Sequence, residues 1–160
     1  MKIKIIPAFE YRDEVKKLFK EYTDILVEHE PAFRKYLDKQ NYDEEVENLE
    51  MKYGMPWGRL YMLLCDGKIA GSIGLKKFNE ESCEIKRLYV RPEFQGHRLG
   101  EVLVRKFIED AREIGYKYIL LDTFPFLKSA IHIYKKLGFY EIESYNNSPM
   151  DNLIYLKYDL

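Results

Sequence analysis

The chain has 160 residues, of which 46% are hydrophobic and 33% are charged, proportions typical of a globular domain that can bury its own core. With 26 basic and 27 acidic residues, the formal net charge is −1, so no long-range positive field would attract nucleic acid or an anionic membrane surface. The start of the chain is too short and too charged for a signal peptide, and no apolar run approaches the roughly 20 residues that a membrane span needs. We therefore expect one cytoplasmic domain over residues 1–160, without a nucleic-acid or membrane partner.

The cysteines and histidines show no metal-ligand spacing. Cys65 and Cys83 lie in separate strand-like segments, and two cysteines are too few for a disulfide scaffold. The three histidines, His29, His97 and His132, lie far apart along the chain. We expect buried reduced thiols and no bound metal.

One strand and two helices are predicted in the N-terminal third. The first strand ends at Pro7. Apolar residues recur at helical spacing over residues 12–28, with charged residues on the other face, which predicts an amphipathic helix. Asn41, three residues before Glu44, predicts a capping box for a second helix that runs to about Lys52.

The loop over residues 53–58 holds the only tryptophan of the chain and a tyrosine. Two interpretations stay open for these aromatic side chains. They either cover the edge of the core or line a ligand site, since loops with large apolar side chains commonly do so.

Six further strands are predicted by alternating apolar patterns between turn signals, at residues 60–65, 69–78, 83–90, 118–122, 139–142 and 153–158. Asp66-Gly67 predicts a two-residue hairpin turn. Gly71 and Gly74 indicate a bulge or a close approach within the third strand.

Two more helices complete the pattern, at residues 98–114 and 129–137, each followed by a glycine. The order of elements predicts an α/β fold with a mixed, mostly antiparallel sheet of about seven strands and helices on both faces. The crossover through residues 98–114 makes the fourth and fifth strands parallel neighbours.

The segment over residues 90–101 joins the fourth strand to a helix N-terminus, where free backbone N–H groups and the helix dipole favour an anion such as a diphosphate. A nucleoside triphosphate loop would end in Lys-Ser or Lys-Thr, but Glu101 and Val102 follow Gly100. Gly96 and Gly100 also miss the dinucleotide spacing.

Two motifs resemble those of the GNAT superfamily of acyl-CoA-dependent N-acyltransferases. The first is Val90-x-Pro92-x-x-Gln95-Gly96-x-x-x-Gly100, and the second runs from Ala130 through Tyr134 to Leu137-Gly138-Phe139. The sequence departs from the family pattern twice, with Arg98 at a usual glycine and Leu127 at a frequent asparagine. Arg98 suits the loop if its φ is negative, since its backbone N–H is what a diphosphate needs.

The resemblance implies acetyl-CoA as co-substrate and a splay between the fourth and fifth strands. It places the coenzyme against residues at the end of the fourth strand and in the following loop and helix: Leu88, Tyr89, Val90, Gln95, Gly96, His97, Arg98, Leu99, Gly100 and Glu101. It also implies that Tyr134 is the general acid for the departing thiolate, because a phenol with a pKa near 10 stays protonated at neutral pH.

Two carboxylates are candidates for the general base, acting through water. Glu84 begins the fourth strand and Asp122 closes the fifth, next to the expected splay. Both have structural alternatives, since Glu84 can pair with Lys86 or Arg87 and Asp122 can cap a turn. No basic partner is evident for Cys83 as a nucleophile, so direct transfer is preferred.

The resemblance leaves the acceptor open. An aromatic pocket is hypothesised from five side chains in the two halves of the chain: Tyr22, Tyr53, Met55, Trp57 and Tyr145. Such a pocket favours a small amine or amino acid derivative. A peptide N-terminus and a non-catalytic acyl-CoA-binding module are the alternatives, and pairing of the seventh strand would allow a homodimer.

Overall fold

The computed structural model describes residues 1–39 and 42–160. Seven strands form one sheet: β1 (Ile3–Pro7), β2 (Arg59–Cys65), β3 (Lys68–Lys77), β4 (Ser82–Val90), β5 (Tyr118–Thr123), β6 (Tyr140–Ile142) and β7 (Ile154–Asp159). Their order across the sheet is β1-β2-β3-β4-β5-β7-β6, and β4 and β5 pair in parallel while the other neighbours pair antiparallel. The predicted fold class is confirmed.

Six α-helices accompany the sheet among the described residues: α1 (Arg12–His29), α2 (Phe33–Lys39), α3 (Tyr42–Glu47), α4 (Glu50–Tyr53), α5 (Leu99–Ile114) and α6 (Lys128–Leu137). The predicted hairpin turn is present, with Asp66 at φ 51° and Gly67 at φ 80° between β2 and β3. Two left-handed residues match the twist of the strands that they join.

Apart from a smaller apolar cluster that includes α2, the sheet separates two apolar cores. The larger one lies between the sheet and α5, whose buried stripe includes Leu99, Leu103 and Phe107. On the other face, Leu18 and Phe19 of α1 pack with residues of α3, α4 and the sheet. Burying each such side chain contributes about 1.5–3 kcal/mol, so both faces of the sheet are anchored by apolar packing.

The region between α1 and β2 differs from the prediction of one helix ending near Lys52. It contains the unpredicted α2, then α3, and α4 as a separate turn. The backbone N–H of Asn48 closes α3 on the carbonyl of Glu44, and the chain then bends before α4. The capping role predicted for Asn41 lies outside the described residues.

Cys65 and Cys83 are both buried and unpaired, as predicted. In the described part of the chain, no helix combines the length and the apolar character that crossing a bilayer requires.

Candidate active site

The parallel strands β4 and β5 separate after three paired positions. Glu84 opposite Leu120 is the last pair, and the two strands diverge beyond it. On its other side β4 stays paired with β3, but the register shifts between Ser72 and Gly74. Opposite this shift Arg87 has a left-handed φ of 55°, so β4 carries a bulge beside the gap. The edge of β4 that faces β5 is therefore left without a strand partner.

A cavity of about 320 Å³, which we call the splay groove, lies beside the diverging end of β4. Eight of the ten residues predicted to contact the coenzyme line it: Leu88, Tyr89, Val90, Gln95, Gly96, Arg98, Leu99 and Gly100. His97 and Glu101 do not line it. His97 is exposed, and Glu101 pairs with Arg105 and Lys136.

Free backbone N–H groups collect at one end of the splay groove. Within the described residues, no backbone carbonyl accepts from the N–H groups of residues 96–98. The next three belong to the first turn of α5, which has no side-chain cap. Six successive donors at a helix N-terminus suit a diphosphate, because such donors otherwise lack partners and the helix dipole adds positive charge.

Arg98 does not meet the condition of a negative φ, since its φ is 61°. Arg98 is the left-handed residue immediately before α5, and Gly96 has a positive φ of 88° as well. Two left-handed residues turn the chain from the 3₁₀ turn at Pro92–Phe94 into the helix. A non-glycine residue in this conformation costs roughly 1 kcal/mol, and here it directs the N–H groups of the loop.

Tyr134 of α6 is buried and packs against Phe139, with ring centroids 5.4 Å apart. Burial raises the pKa of its hydroxyl well above the usual value of 10, and the nearby Tyr22 and Asp122 raise it further. The phenol is therefore protonated at neutral pH. Tyr134 does not itself line the splay groove, but its helix does so through Ser129, Ala130 and Ile133.

The two candidate bases have different surroundings. Glu84 is 4% exposed, accepts a 2.6 Å hydrogen bond from the Tyr145 hydroxyl, and lies 3.6 Å from Lys76 Nζ and 3.9 Å from Lys86 Nζ. Asp122 is half-buried, and its Oδ2 accepts a 2.9 Å hydrogen bond from Asn146 Nδ2. Burial and the neighbouring Glu84 raise the pKa of Tyr145, which stays a hydrogen-bond donor.

A second cavity of about 50 Å³, which we call the inner cavity, adjoins the splay groove. Its charged lining residues are Lys86, Arg87 and Asp122. Tyr22 and Leu127 line both cavities and so mark their boundary. Asp122 therefore lines the cavity next to the groove but not the groove itself.

An ion-pair network that the sequence did not indicate supports the bulge in β4. The guanidinium of Arg87 donates to Glu45 at 2.8 and 2.9 Å, and Glu45 also accepts from Lys52 and Tyr53. Burial alone would raise the pKa of Glu45, but Arg87 and Lys52 outweigh it and hold that pKa at about 2. The sequence offered Arg87 only as a possible partner of Glu84, and nothing local identifies Glu45.

The five aromatic and apolar residues predicted to form one acceptor pocket do not come together. Tyr22 lines both cavities and Tyr145 contacts Glu84. Tyr53 is fully buried against Gly74, where a Cβ would lie 2.6 Å from its ring. Met55 and Trp57 are exposed, and Trp57 packs under Lys77. Tyr53 thus agrees with the interpretation that the loop covers the core. Trp57 agrees with neither interpretation, because it is exposed and lines neither cavity.

Known proteins match this chain over most of its length. The model of the acetyltransferase (GNAT) family matches residues 16–139. An uncharacterized N-acetyltransferase of Schizosaccharomyces pombe is 35% identical over 150 residues, which cover 92% of this chain and 88% of the relative.

Two solved structures share the fold. The crystal structure of a GNAT-family acetyltransferase from Staphylococcus aureus MU50 has a TM-score of 0.75 at 23% identity, covering 99% of both chains. The Campylobacter jejuni N-acetyltransferase PseH in complex with acetyl coenzyme A has a TM-score of 0.64 at 18% identity, again covering 99% of both chains.

Proposed function

The chain belongs to the acetyltransferase (GNAT) family, and from that premise we propose that it transfers an acetyl group directly from acetyl-CoA to a small primary amine in the inner cavity. One observation carries the proposal. Where β4 and β5 separate, a groove that ends at a loop with free backbone N–H groups adjoins a cavity lined by Asp122. PseH, a protein of the same fold, binds acetyl coenzyme A in its crystal structure, and this is consistent with the proposal.

The groove supplies the coenzyme contacts in this proposal. Acetyl-CoA brings the activated thioester. The N–H groups of Gly96 and of residues 98–100 bind the diphosphate. The free edge of β4 near Leu88 and Val90 offers backbone groups along the arm of the coenzyme. A backbone N–H at this edge would stabilise negative charge on the carbonyl oxygen during transfer.

Tyr134 is the proposed proton donor to the departing thiolate. Its raised pKa keeps the proton on the phenol at neutral pH, and the helix that carries it, α6, lines the splay groove through Ala130 and Ile133. A phenol that keeps its proton at neutral pH can donate this proton to the thiolate as a general acid.

Asp122 is the better supported of the two candidate bases. Its Oδ2 is held by Asn146, while for Oδ1 no hydrogen-bond donor is found among the described residues. Glu84 is instead nearly inaccessible and already contacts Tyr145 and two lysines. We assign Asp122 the removal of the amine proton, through water, and Glu84 the positioning of its neighbours.

The test follows free thiol after acetyl-CoA is mixed with the protein and a panel of small amines, amino acids, peptides and polyamines. The proposal predicts amine-dependent thiol release with a subset of the small amines or amino acids. Release with peptides alone would indicate an N-terminal acetyltransferase. Binding of acetyl-CoA without release across the panel would indicate a non-catalytic binding module.

A further inference from the structure

Lys86 and Asp122 occupy matching positions on the two sides of the β4/β5 gap. Glu84 and Leu120 form the last strand pair, and each of the two residues lies two positions further along its strand. Because side chains alternate between the faces of a strand, both lie on the face of the last pair. Both line the inner cavity. The cationic Lys86 and the anionic Asp122 therefore both face the inner cavity.

The ammonium group of Lys86 has hydrogen-bonding capacity that its neighbours do not use. Its side chain is only 21% exposed, and its ion pair with Glu84 is 3.9 Å long, beyond hydrogen-bond range. In the described part of the chain, no acceptor lies within hydrogen-bond distance of its Nζ. An ammonium carries three donors. Because no fully buried side-chain nitrogen or oxygen among the described residues lacks a hydrogen-bond partner, this Nζ is in contact with solvent, where a ligand could reach it.

The other cation in the cavity is already satisfied. The guanidinium of Arg87 makes two hydrogen bonds to Glu45. Burial disfavours the charge of Lys86, but the carboxylates of Glu84 and Asp122 outweigh it and raise its pKa above the ordinary value. Lys86 is therefore a charged donor at neutral pH.

We infer that the acceptor is an amine that also carries a carboxylate, as an amino acid does, and that Lys86 binds this carboxylate while Asp122 receives the amine. The inference rests on the proposed function. The aminocarboxylate head of an amino acid is compact, and the inner cavity of about 50 Å³ holds a few water-sized groups at roughly 10–15 Å³ each. A peptide N-terminus lacks the carboxylate next to its amine and would leave the hydrogen-bond donors of Lys86 unused.

Binding of reaction products isolates the role of the carboxylate. N-acetyl-leucine, N-acetyl-leucinamide and N-isoamylacetamide share one apolar side chain and carry no ionisable amine, so they differ only in the group at the position of the carboxylate. Calorimetry measures each compound with the CoA-saturated protein. We expect N-acetyl-leucine to bind at least tenfold more tightly than the other two.

Two variants assign that preference to Lys86. Lys86→Met should remove the tenfold difference, whereas Lys76→Met should keep it, because Lys76 also pairs with Glu84 but does not line the inner cavity. Unchanged affinity for CoA shows that each variant is folded. Equal affinity of wild type for the three compounds, no binding of N-acetyl-leucine, or a preference that survives in Lys86→Met would overturn the inference.

Thiol release separates this inference from the proposed function. Equal turnover of leucine, leucinamide and isoamylamine at equal concentrations of neutral amine would leave the acetyltransferase proposal intact and contradict the carboxylate site. Selective binding of N-acetyl-leucine with no turnover of any amine would support the carboxylate site and contradict the acetyltransferase proposal.

Discussion

Asn146 donates a 2.9 Å hydrogen bond to Asp122, and the preceding Tyr145 donates a 2.6 Å hydrogen bond to Glu84. Two adjacent residues of the β6–β7 connection thus hold the two candidate carboxylates on either side of the splay. A loop that contacts both strands also limits how far they separate. The arrangement gives Asp122 a fixed orientation and leaves one of its oxygens for chemistry.

Replacing the proposed base distinguishes the two carboxylates. Asp122→Asn should lower kcat by roughly 100-fold or more, because a general base typically contributes 10²–10⁴-fold. Glu84→Gln, the matched control, should lower kcat far less. Steady-state thiol release measures both, with CoA affinity from calorimetry expected to stay within about twofold. A larger loss of kcat in Glu84→Gln than in Asp122→Asn would reverse the assignment.

The hydroxyl of Tyr134 should matter for turnover and not for binding. Tyr134→Phe removes the proton donor while keeping the ring that packs on Phe139, so kcat should fall roughly 10–100-fold with CoA affinity nearly unchanged. Because the raised pKa keeps the phenol protonated, wild-type kcat should not fall up to about pH 9 through loss of this proton. Unchanged kcat in the variant would exclude the acid role.

The first turn of α5 should tolerate no bulk at Gly100. A Cβ there would lie 3.0 Å from Ile133 Cδ1, and the branched side chain of Gly100→Val would extend toward the groove. CoA affinity should fall by at least tenfold with the circular dichroism spectrum retained. Gly67→Ala, far from the groove in the β2–β3 turn, is the control and should bind CoA normally. Undiminished affinity in Gly100→Val would refute the proposed diphosphate site.

Glu45 should be essential to the stability of the bulge in β4. Glu45→Gln leaves Arg87 without its charged partner in a buried site, and breaking such a pair costs about 3–5 kcal/mol. The pKa of Glu45 is lowered in the folded state to about 2. The stabilisation is therefore complete above the unfolded pKa of about 4.5 and is lost as the pH falls from there toward 2.

Urea unfolding at pH 7 and at pH 3 measures both effects of Glu45. The stability difference between wild type and Glu45→Gln should shrink at the lower pH. Glu50→Gln, which removes an exposed carboxylate paired with Arg12, should unfold like wild type. A destabilisation of Glu45→Gln below about 1 kcal/mol at pH 7 would contradict a structural role for the network.

Local physics explains which parts of the fold were predictable. The alternation of apolar residues and the turn signal at Asp66-Gly67 identified the strands, because each of these signals is contained in a few neighbouring residues. The spacing of Gln95, Gly96 and Gly100 placed the anion-binding loop in the same way. The backbone conformation of single residues was harder to predict from the sequence, as the left-handed Arg98 shows.

Contacts between distant residues account for what was missed. Glu45 and Arg87 are 42 positions apart, so no periodicity relates them, and the helices that carry Glu45 were merged into one. Tyr53 was a candidate for the acceptor pocket, but the absence of a side chain at Gly74 makes room for its ring in the core. Asn146 lies in a connection without periodic pattern, and nothing in its sequence context indicated Asp122 as partner.

The most direct measurement of acetyl transfer uses acetyl-CoA with a ¹³C-labelled acetyl group, mixed with the protein and the amine panel. Free thiol and labelled amide are quantified together by absorbance and mass spectrometry. Direct transfer predicts equal amounts of both, only when a suitable amine is present, and no label on the protein. Label retained on the protein, or acetyl-CoA bound without thiol release with any amine, would contradict the account.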